Sequence, residues 1–371
     1  MKKALFLSGG GARGAYQAGV LRGICDILNC KETPIDIISS LSAGAINASF
    51  LAARIDNFKI ATSELSDVWL NIKCEKIFKA NNISLIRSVL RNVMSMIFHL
   101  QLEGGQYLLD TSPLRALLTK NIDFNKIHSN IHNGHLTAFE MATTCYDLSR
   151  TISFYCASSK TNWERSRHIG RKVKLKCEHV LASSAVPLFF PAIKLGKLHY
   201  GDGGLRHSAP LRSAINFGAD SILVIGTRQV AKATTLLRSR VIKSGISYAN
   251  ILGNMLDAVF LDNLDKDLEL LERINTHVDF VSRWSRRKFQ WRNIKILYIQ
   301  PSVDLGIIAQ DTERNLPFLL EYLMTSFGAK EQAGEFLSFM LFESAFTQKL
   351  IEIGYQDAIN QADEIKAFFE V

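Results

Sequence analysis

The stretch Ile35-Asp36-Ile37-Ile38-Ser39-Ser40-Leu41-Ser42-Ala43-Gly44-Ala45-Ile46-Asn47-Ala48 runs an apolar strand straight into a helix of small residues, with Ser42 at the junction. A serine on so tight a turn is pushed out of the fold. Its oxygen then stands above the sheet, with the N-terminal amides of the next helix beneath it. That is how a nucleophile is presented, but serine also fills ordinary helix N-cap positions. Two further stretches bear on the choice.

At the N-terminus, Lys2-Lys3-Ala4-Leu5-Phe6-Leu7-Ser8 is followed by Gly9-Gly10-Gly11-Ala12-Arg13-Gly14 and then by a helical pattern at Tyr16, Val20, Leu21, Ile24, Ile27 and Leu28. This reads as strand, glycine loop and helix. Backbone N–H groups in such a loop converge on an anion without Cβ obstruction. Gly9, Gly11 and Gly14 also satisfy the G-x-G-x-x-G dinucleotide fingerprint. A dinucleotide site wants an acidic residue at the end of the second strand. Here that strand ends in Ser39-Ser40-Leu41-Ser42, and Asp36 lies near its start. The loop is therefore read as an oxyanion hole, whose donors stabilise the tetrahedral intermediate of acyl transfer. The third stretch is His199-Tyr200-Gly201-Asp202-Gly203-Gly204-Leu205, a carboxylate bracketed by glycines at the end of a short strand. Taken alone it reads as a plain Asp-Gly turn, the commonest use of that dipeptide.

Together the three stretches resemble the patatin-like phospholipase family, which uses a Ser-Asp dyad. The likeness runs over roughly residues 3 to 230 and includes Gly14-Ala15-Tyr16-Gln17-Ala18-Gly19-Val20-Leu21 and Leu181-Ala182-Ser183-Ser184-Ala185-Val186-Pro187-Leu188-Phe189-Phe190-Pro191. The resemblance implies a three-layer α/β/α fold with a mostly parallel central sheet and a helical C-terminal extension. It implies Ser42 as nucleophile and Asp202 as base, with Gly9, Gly10, Gly11, Ala12, Arg13 and Gly14 forming the oxyanion loop. Gly10 and Gly11 are then the donors, and Arg13 fixes the loop or adds positive charge. Gly44, Gly203 and Gly204 support the elbow and the dyad loop. Ser40 stands where the family's G-x-S-x-G elbow has its first glycine, a departure that puts full activity in question. The implied activity is release of fatty acid from phospholipid or lysophospholipid without a cofactor or metal. An acyltransferase or an esterase for other acyl esters would use the same residues, and a non-catalytic lipid- or nucleotide-binding protein with a decayed elbow is the alternative from another class.

A His-containing triad finds no support in the pattern. His199 and His207 flank Asp202 but lack a triad context, and His128, His132 and His135 have only a faint metal-like spacing in what reads as a polar loop. Six cysteines without C-x-x-C spacing predict free thiols in a reducing compartment. The net charge of +9 suits an anionic phospholipid surface. The densest basic stretch, Arg283-Trp284-Ser285-Arg286-Arg287-Lys288-Phe289-Gln290-Trp291-Arg292, interleaves cations with aromatics as an interfacial anchor does, or as a solvated loop does. No nucleic-acid module accompanies it. Ile83, Ile86, Leu90, Val93, Ile97 and Leu100 recur at helical spacing opposite Ser84, Arg87, Ser88, Arg91, Asn92, Ser95 and His99. This predicts an amphipathic helix over about 83–102, either a lid or lipid contact or a cover for core.

The layout predicted is strands near 3–7, 35–39, 136–144, 151–156, 198–201 and 221–226, alternating with helices near 15–29, 43–53, 113–119, 178–184 and 210–217. A hairpin over Thr143–Thr151 makes part of the sheet antiparallel, 236–275 is helical, and 295–301 is one more strand. Residues 1–235 form the catalytic core, and the mainly helical 236–371 packs on it within the same domain. The N-terminal apolar run is too short for a signal peptide and is needed as the first strand. No apolar run reaches the 18 to 20 or so residues that span a bilayer. A cytoplasmic or peripherally membrane-associated protein is expected, with a leaderless export route left open.

Overall fold

A computed structural model of the chain describes residues 1–79, 81–98, 107–159, 162–165, 167–229, 248–281, 292–313, 321 and 334–370. In order these form β1 (Lys3–Leu7), α1 (Gly14–Leu28), β2 (Ile37–Leu41), α2 (Ala43–Ala53), α3 (Phe58–Leu70), α4 (Cys74–Ile77), α5 (Asn82–Phe98), α6 (Ser112–Asn121) and α7 (Phe124–His132). Next come β3 (Ala138–Cys145), β4 (Arg150–Ala157), β5 (Trp163–Glu164), β6 (His168–Lys172), α8 (Cys177–Ser183), β7 (Ile193–Leu195), β8 (Leu198–Asp202), α9 (Arg212–Asn216) and β9 (Ser221–Ile225). The remainder is α10 (Tyr248–Phe260), α11 (Asp262–Phe280), β10 (Lys295–Ile299), α12 (Leu305–Gln310), α13 (Gly334–Met340), α14 (Ser344–Asn360) and α15 (Ala362–Phe369).

The strands make one sheet in the order β10-β9-β1-β2-β3-β4-β6-β5, with β8 on β3 and β7 on β8. From β10 to β3 every pair is parallel, and β3 turns back on β4 through the hairpin. Strands β9 and, beyond Lys3, β1 are fully buried and read as near-continuous apolar runs, as strands covered on both faces do, whereas the edge strand β10 buries only Ile299. Helices wrap the sheet in a three-layer α/β/α arrangement. Helix α1 lies along α14 near the C-terminus, where the Tyr16 hydroxyl donates to Asp357 at 3.0 Å.

One detail of register positions everything that follows. Helix-bound β2 runs parallel to β3 and ends with Leu41 opposite Ala142. Strand β8 runs the other way along β3 and ends with Asp202 opposite Thr143. The far edge of β3 is taken by β4 along its whole length. So β2 and β8 share one edge and point their C-terminal ends at each other, which brings Ser42 and Asp202 to adjoining positions. The pairing of β3 is thus the device that joins residues 160 apart in sequence.

Differences from the sequence-based layout are local. Residues 124–132 form α7, where a polar loop was expected: Asp123 caps it through the Asn125 N–H, and Ile127, Asn130 and Ile131 are buried. The helix expected over 83–102 is α5, with 99–102 outside the described residues. Of its large apolar side chains Leu85 joins the core, while Ile83, Ile86, Val89, Leu90, Val93, Met94, Ile97 and Phe98 face solvent. The helical expectation for 236–247 and the basic aromatic stretch lie outside the described residues, apart from Arg292, whose guanidinium donates to the Ile215 carbonyl at 3.0 Å. All six cysteines are free thiols. No helix among the described residues is long and apolar enough to cross a membrane.

Candidate active site

Ser42 adopts φ 55° and ψ −130°, a backbone conformation that non-glycine residues avoid. The strain is held in place by its neighbours. Its N–H donates to Ser183 Oγ at 3.1 Å, and Ser183 Oγ in turn donates to the Ala142 carbonyl at 2.7 Å. Behind the elbow, α2 lies so close to β1 that a Cβ on Gly44 would strike the carbonyl oxygens of Leu7 and Ser8. Ser40 is accommodated inside regular β2, with its hydroxyl donating to the Glu140 carbonyl at 3.0 Å. The strain therefore sits at Ser42 itself, and the serine that replaces the usual glycine is hydrogen-bonded.

The Ser42 hydroxyl donates to Asp202 Oδ2 at 2.6 Å, and Asp202 Oδ1 accepts the Gly204 N–H at 2.9 Å. Gly203 sits against the Ala142 carbonyl and Gly204 against the Phe260 ring, in positions that leave no room for a side chain. Both Ser42 and Asp202 are buried. Burial pushes the Asp202 carboxyl up to about 7, opposed by the hydrogen bonds from Ser42 and Gly204. A carboxylate with that affinity for protons, in contact with a hydroxyl, can accept the hydroxyl's proton near neutral pH.

The glycine loop lies beside this pair. A Cβ on Gly9 would crowd Leu41 and Ser42 Cβ, and the Gly9 carbonyl accepts from Thr227 Oγ1 at 2.6 Å. Gly10 and Gly11 have φ of 153° and 57°, and Gly11 packs against the Phe339 carbonyl so tightly that only glycine fits. Neither the Gly10 nor the Gly11 N–H is given to an acceptor among the described residues. Ala12 is buried, and the Gly14 carbonyl accepts from Asn47 Nδ2 at 2.9 Å. Arg13 turns away from Ser42. Its guanidinium pairs with Glu335 and with Asp257 at 3.3 Å, donates to Ser338 Oγ at 2.8 Å, and stacks on the Phe339 ring at 4.0 Å. Burial and the adjacent Glu335 push Asp257 up to about 7, against the pull of Arg13.

Beside Ser42 opens a narrow apolar cavity of about 50 Å³, running between α2, α3 and α6 and roofed by Phe339 and Met340. Ile46, Phe50, Val68, Trp69, Leu117 and Leu118 are among its walls. Away from Ser42 it adjoins an outer cleft of about 660 Å³, with which it shares Phe50, Val68, Leu117 and Asn121. A wall of this kind accepts a hydrocarbon chain and repels a charged group.

The described histidines are elsewhere. His199 meets Asp147, while His168 and His207 pack edge to face, where burial depresses His168 to about 4 and holds His207 well below the usual imidazole range. His128 lies against Cys156 Sγ at 3.1 Å. Several supporting residues were not singled out from sequence. Gln17 gives its amide to the Ser8 carbonyl at 2.9 Å, and Asn47 ties Gln17 to the Trp69 indole, which donates at 2.8 Å. Ser183, which holds the elbow N–H, is the other. Each is a polar residue on the inward side of an otherwise apolar helix, the one signal that could have marked them.

The patatin-like phospholipase family model matches residues 5–215. Among solved structures, VipD from Legionella pneumophila is similar at 13% identity over 98% of this chain and 67% of that chain, with a TM-score of 0.41. No curated protein matches. Since the family's domain spans more than half of the chain and contains both strand ends that meet on β3, this protein belongs to the patatin-like phospholipase family, whose general activity is lipid acyl hydrolysis.

Proposed function

We propose that the protein is a serine lipid acyl hydrolase of the phospholipase A or lysophospholipase type, in which Ser42 is the nucleophile and Asp202 the base. The observation that carries this reading is the 2.6 Å hydrogen bond to a buried carboxylate from the hydroxyl of Ser42, a residue that lines an apolar cavity. Asp202 takes the Ser42 proton as Oγ attacks the ester carbonyl. The carbonyl oxygen, now negative, is met by N–H donors of the Gly9–Gly14 loop, Gly10 and Gly11 first among them. As the tetrahedral species collapses, the proton on Asp202 passes to the departing alkoxide, and the acyl group stays on Ser42 with its chain in the cavity. Water then attacks; Asp202 takes its proton, and returns it to Ser42 Oγ as the fatty acid leaves. No step needs a cofactor or a metal.

The substrate surface in this reading is a phospholipid or lysophospholipid assembly, anionic because the chain carries a net charge of +9. The chain is taken as one elaborated domain, since β10 and α14 of its last third pack on the same sheet and on α1. The test is fatty-acid release from mixed anionic and zwitterionic vesicles by the wild type, Ser42→Ala and Asp202→Asn, with folding checked by circular dichroism. Release that disappears in both folded variants supports the dyad; release that survives either change defeats it. Acyl transfer to an added alcohol in place of release would make the protein an acyltransferase using the same residues.

A further inference from the structure

Helix α5 is assembled inside out. Its short polar residues Ser88 and Ser95 are buried together with Leu85. Arg91 and Asn92 hold the chain at Tyr107, both donating to its carbonyl at 3.0 Å, with the Arg91 guanidinium 3.7 Å above the ring. The opposite arc, roughly half of the circumference of a regular helix, exposes Ile83, Ile86, Val89, Leu90, Val93, Met94, Ile97 and Phe98. Ile83 is 80% exposed, Leu90 58% and Ile97 62%. Scattered apolar residues on a surface need no explanation, but a contiguous apolar stripe along one helix does. Its 17 residues contain two arginines and no carboxylate, and Arg87 is the charge within the exposed arc.

The position of this stripe matters as much as its composition. Helix α5 leaves the body five residues after Ile77, which lines the cavity beside Ser42. The chain re-enters at Leu108 and Leu109, whose N–H groups donate to the carbonyls of Leu188 and Phe189 at 3.1 and 2.8 Å. Leu188, 69% exposed, belongs to the loop whose Val186 and Phe190 also line that cavity. Short stretches of chain thus join the helix that carries the apolar stripe to the exposed leucine and to the cavity wall.

We propose that the outward face of α5 is the surface by which this protein docks on an anionic phospholipid bilayer, lying in the interface beside the entrance through which acyl chains reach Ser42. The choice of a bilayer follows from the face itself, an apolar arc with a cationic side chain and no acid, which matches an acyl-chain boundary beneath anionic headgroups. The identity of the docked molecules as substrate rests on the hydrolase reading above; the docking itself does not.

The experiment uses the Ser42→Ala chain, so that vesicles stay intact, and measures co-sedimentation with phosphatidylcholine vesicles with and without phosphatidylglycerol. Placing Leu90→Glu and Ile97→Glu in that chain should lower binding at least about tenfold. Arg87→Glu should lower binding to the anionic vesicles about fivefold and leave the zwitterionic ones little changed. All these positions are exposed, and circular dichroism confirms folding. In chains with Ser42 intact, the glutamate pair should abolish hydrolysis of vesicle lipid while leaving hydrolysis of a soluble short-chain ester unchanged. Binding unaffected by the glutamate pair overturns the proposal. So does absence of vesicle binding by the parent chain, including the case in which sedimentation shows the face buried between two copies. If binding depends on α5 but no ester is cleaved by the intact chain, the docking surface stands and the hydrolase reading falls.

Discussion

Two carboxylates lie wholly buried within a few residues of each other along β3, and they have opposite surroundings. Asp202 accepts from a single hydroxyl and a single N–H, beside a cavity. Glu140 accepts from Ser39 at 2.6 Å, from Ser213 at 3.3 Å and from Ser153, which also meets His168 Nε2 at 2.7 Å. Burial raises the proton affinity of both, and around Glu140 serine hydroxyls oppose that rise. Glu140 therefore has its lone pairs filled by the protein and nothing left to act on, whereas Asp202 holds the one hydroxyl that also faces the cavity. On the proposed reading, a buried acid becomes a usable base through what it lacks as much as through its depth.

The contrast is broken most directly by Asp202→Asn, which should reduce kcat on a soluble ester by on the order of 10⁴-fold, as removal of a base in a serine hydrolase does. Its effect on stability has the opposite sign. The folded carboxyl holds its proton up to about 7 while the unfolded one loses it near 3.8. The stability conferred by protonated Asp202 is therefore full below about pH 4 and is lost as pH rises through about 7. At pH 8 the variant should melt at higher temperature than the wild type, by the equivalent of up to about 4 kcal/mol, and the gain should vanish at pH 4. For the wild type, kcat/KM should climb with pH to a midpoint near 7, because only ionised Asp202 accepts the Ser42 proton. A profile flat from pH 5 to 9 would remove Asp202 as base.

Glu140→Ala should show the reverse balance. It strands three serine hydroxyls and opens a small void, costing about 3 kcal/mol by denaturant unfolding, with kcat per folded molecule changed by no more than about twofold. A large fall in kcat at unchanged stability would mean that the network tunes Asp202. Smallest of all is Ser40→Gly, which restores the elbow glycine but gives up the hydrogen bond to the Glu140 carbonyl and adds backbone freedom, for a net loss of about 1 kcal/mol. An activity gain of tenfold or more in that variant would show that Ser40 does restrain the elbow.

The segments that the sequence made legible are those where local chemistry dictates local shape. Three glycines after an apolar run specify the loop from Gly9, and small residues after Leu41 specify α2. The glycines around Asp202 specify a turn, though one the fold buries, and the helical spacing from Ile83 specifies α5. Helix α7 was illegible because it buries only three residues of nine and owes its shape to packing on α2 and β4. Strands β5 and β7 are too short for periodicity to register, and β6, as long as β1, ends in Arg171 and Lys172 and presents no apolar run. The Glu140 cluster draws on β2, β3, β4, β6 and α9, with no pair of its members adjacent in the chain.

By itself, then, the amino-acid sequence determined the elbow, the glycine loop, the Asp202 turn and the amphipathic helix, because each depends on interactions within a dozen residues. Only the tertiary structure decided that β2 and β8 meet head to head on β3, that Arg13 points into an ion cluster away from Ser42, and that the apolar side of α5 faces outward. These follow from strand register and from the competition of faces for a finite core, quantities that belong to the whole chain and to no segment of it.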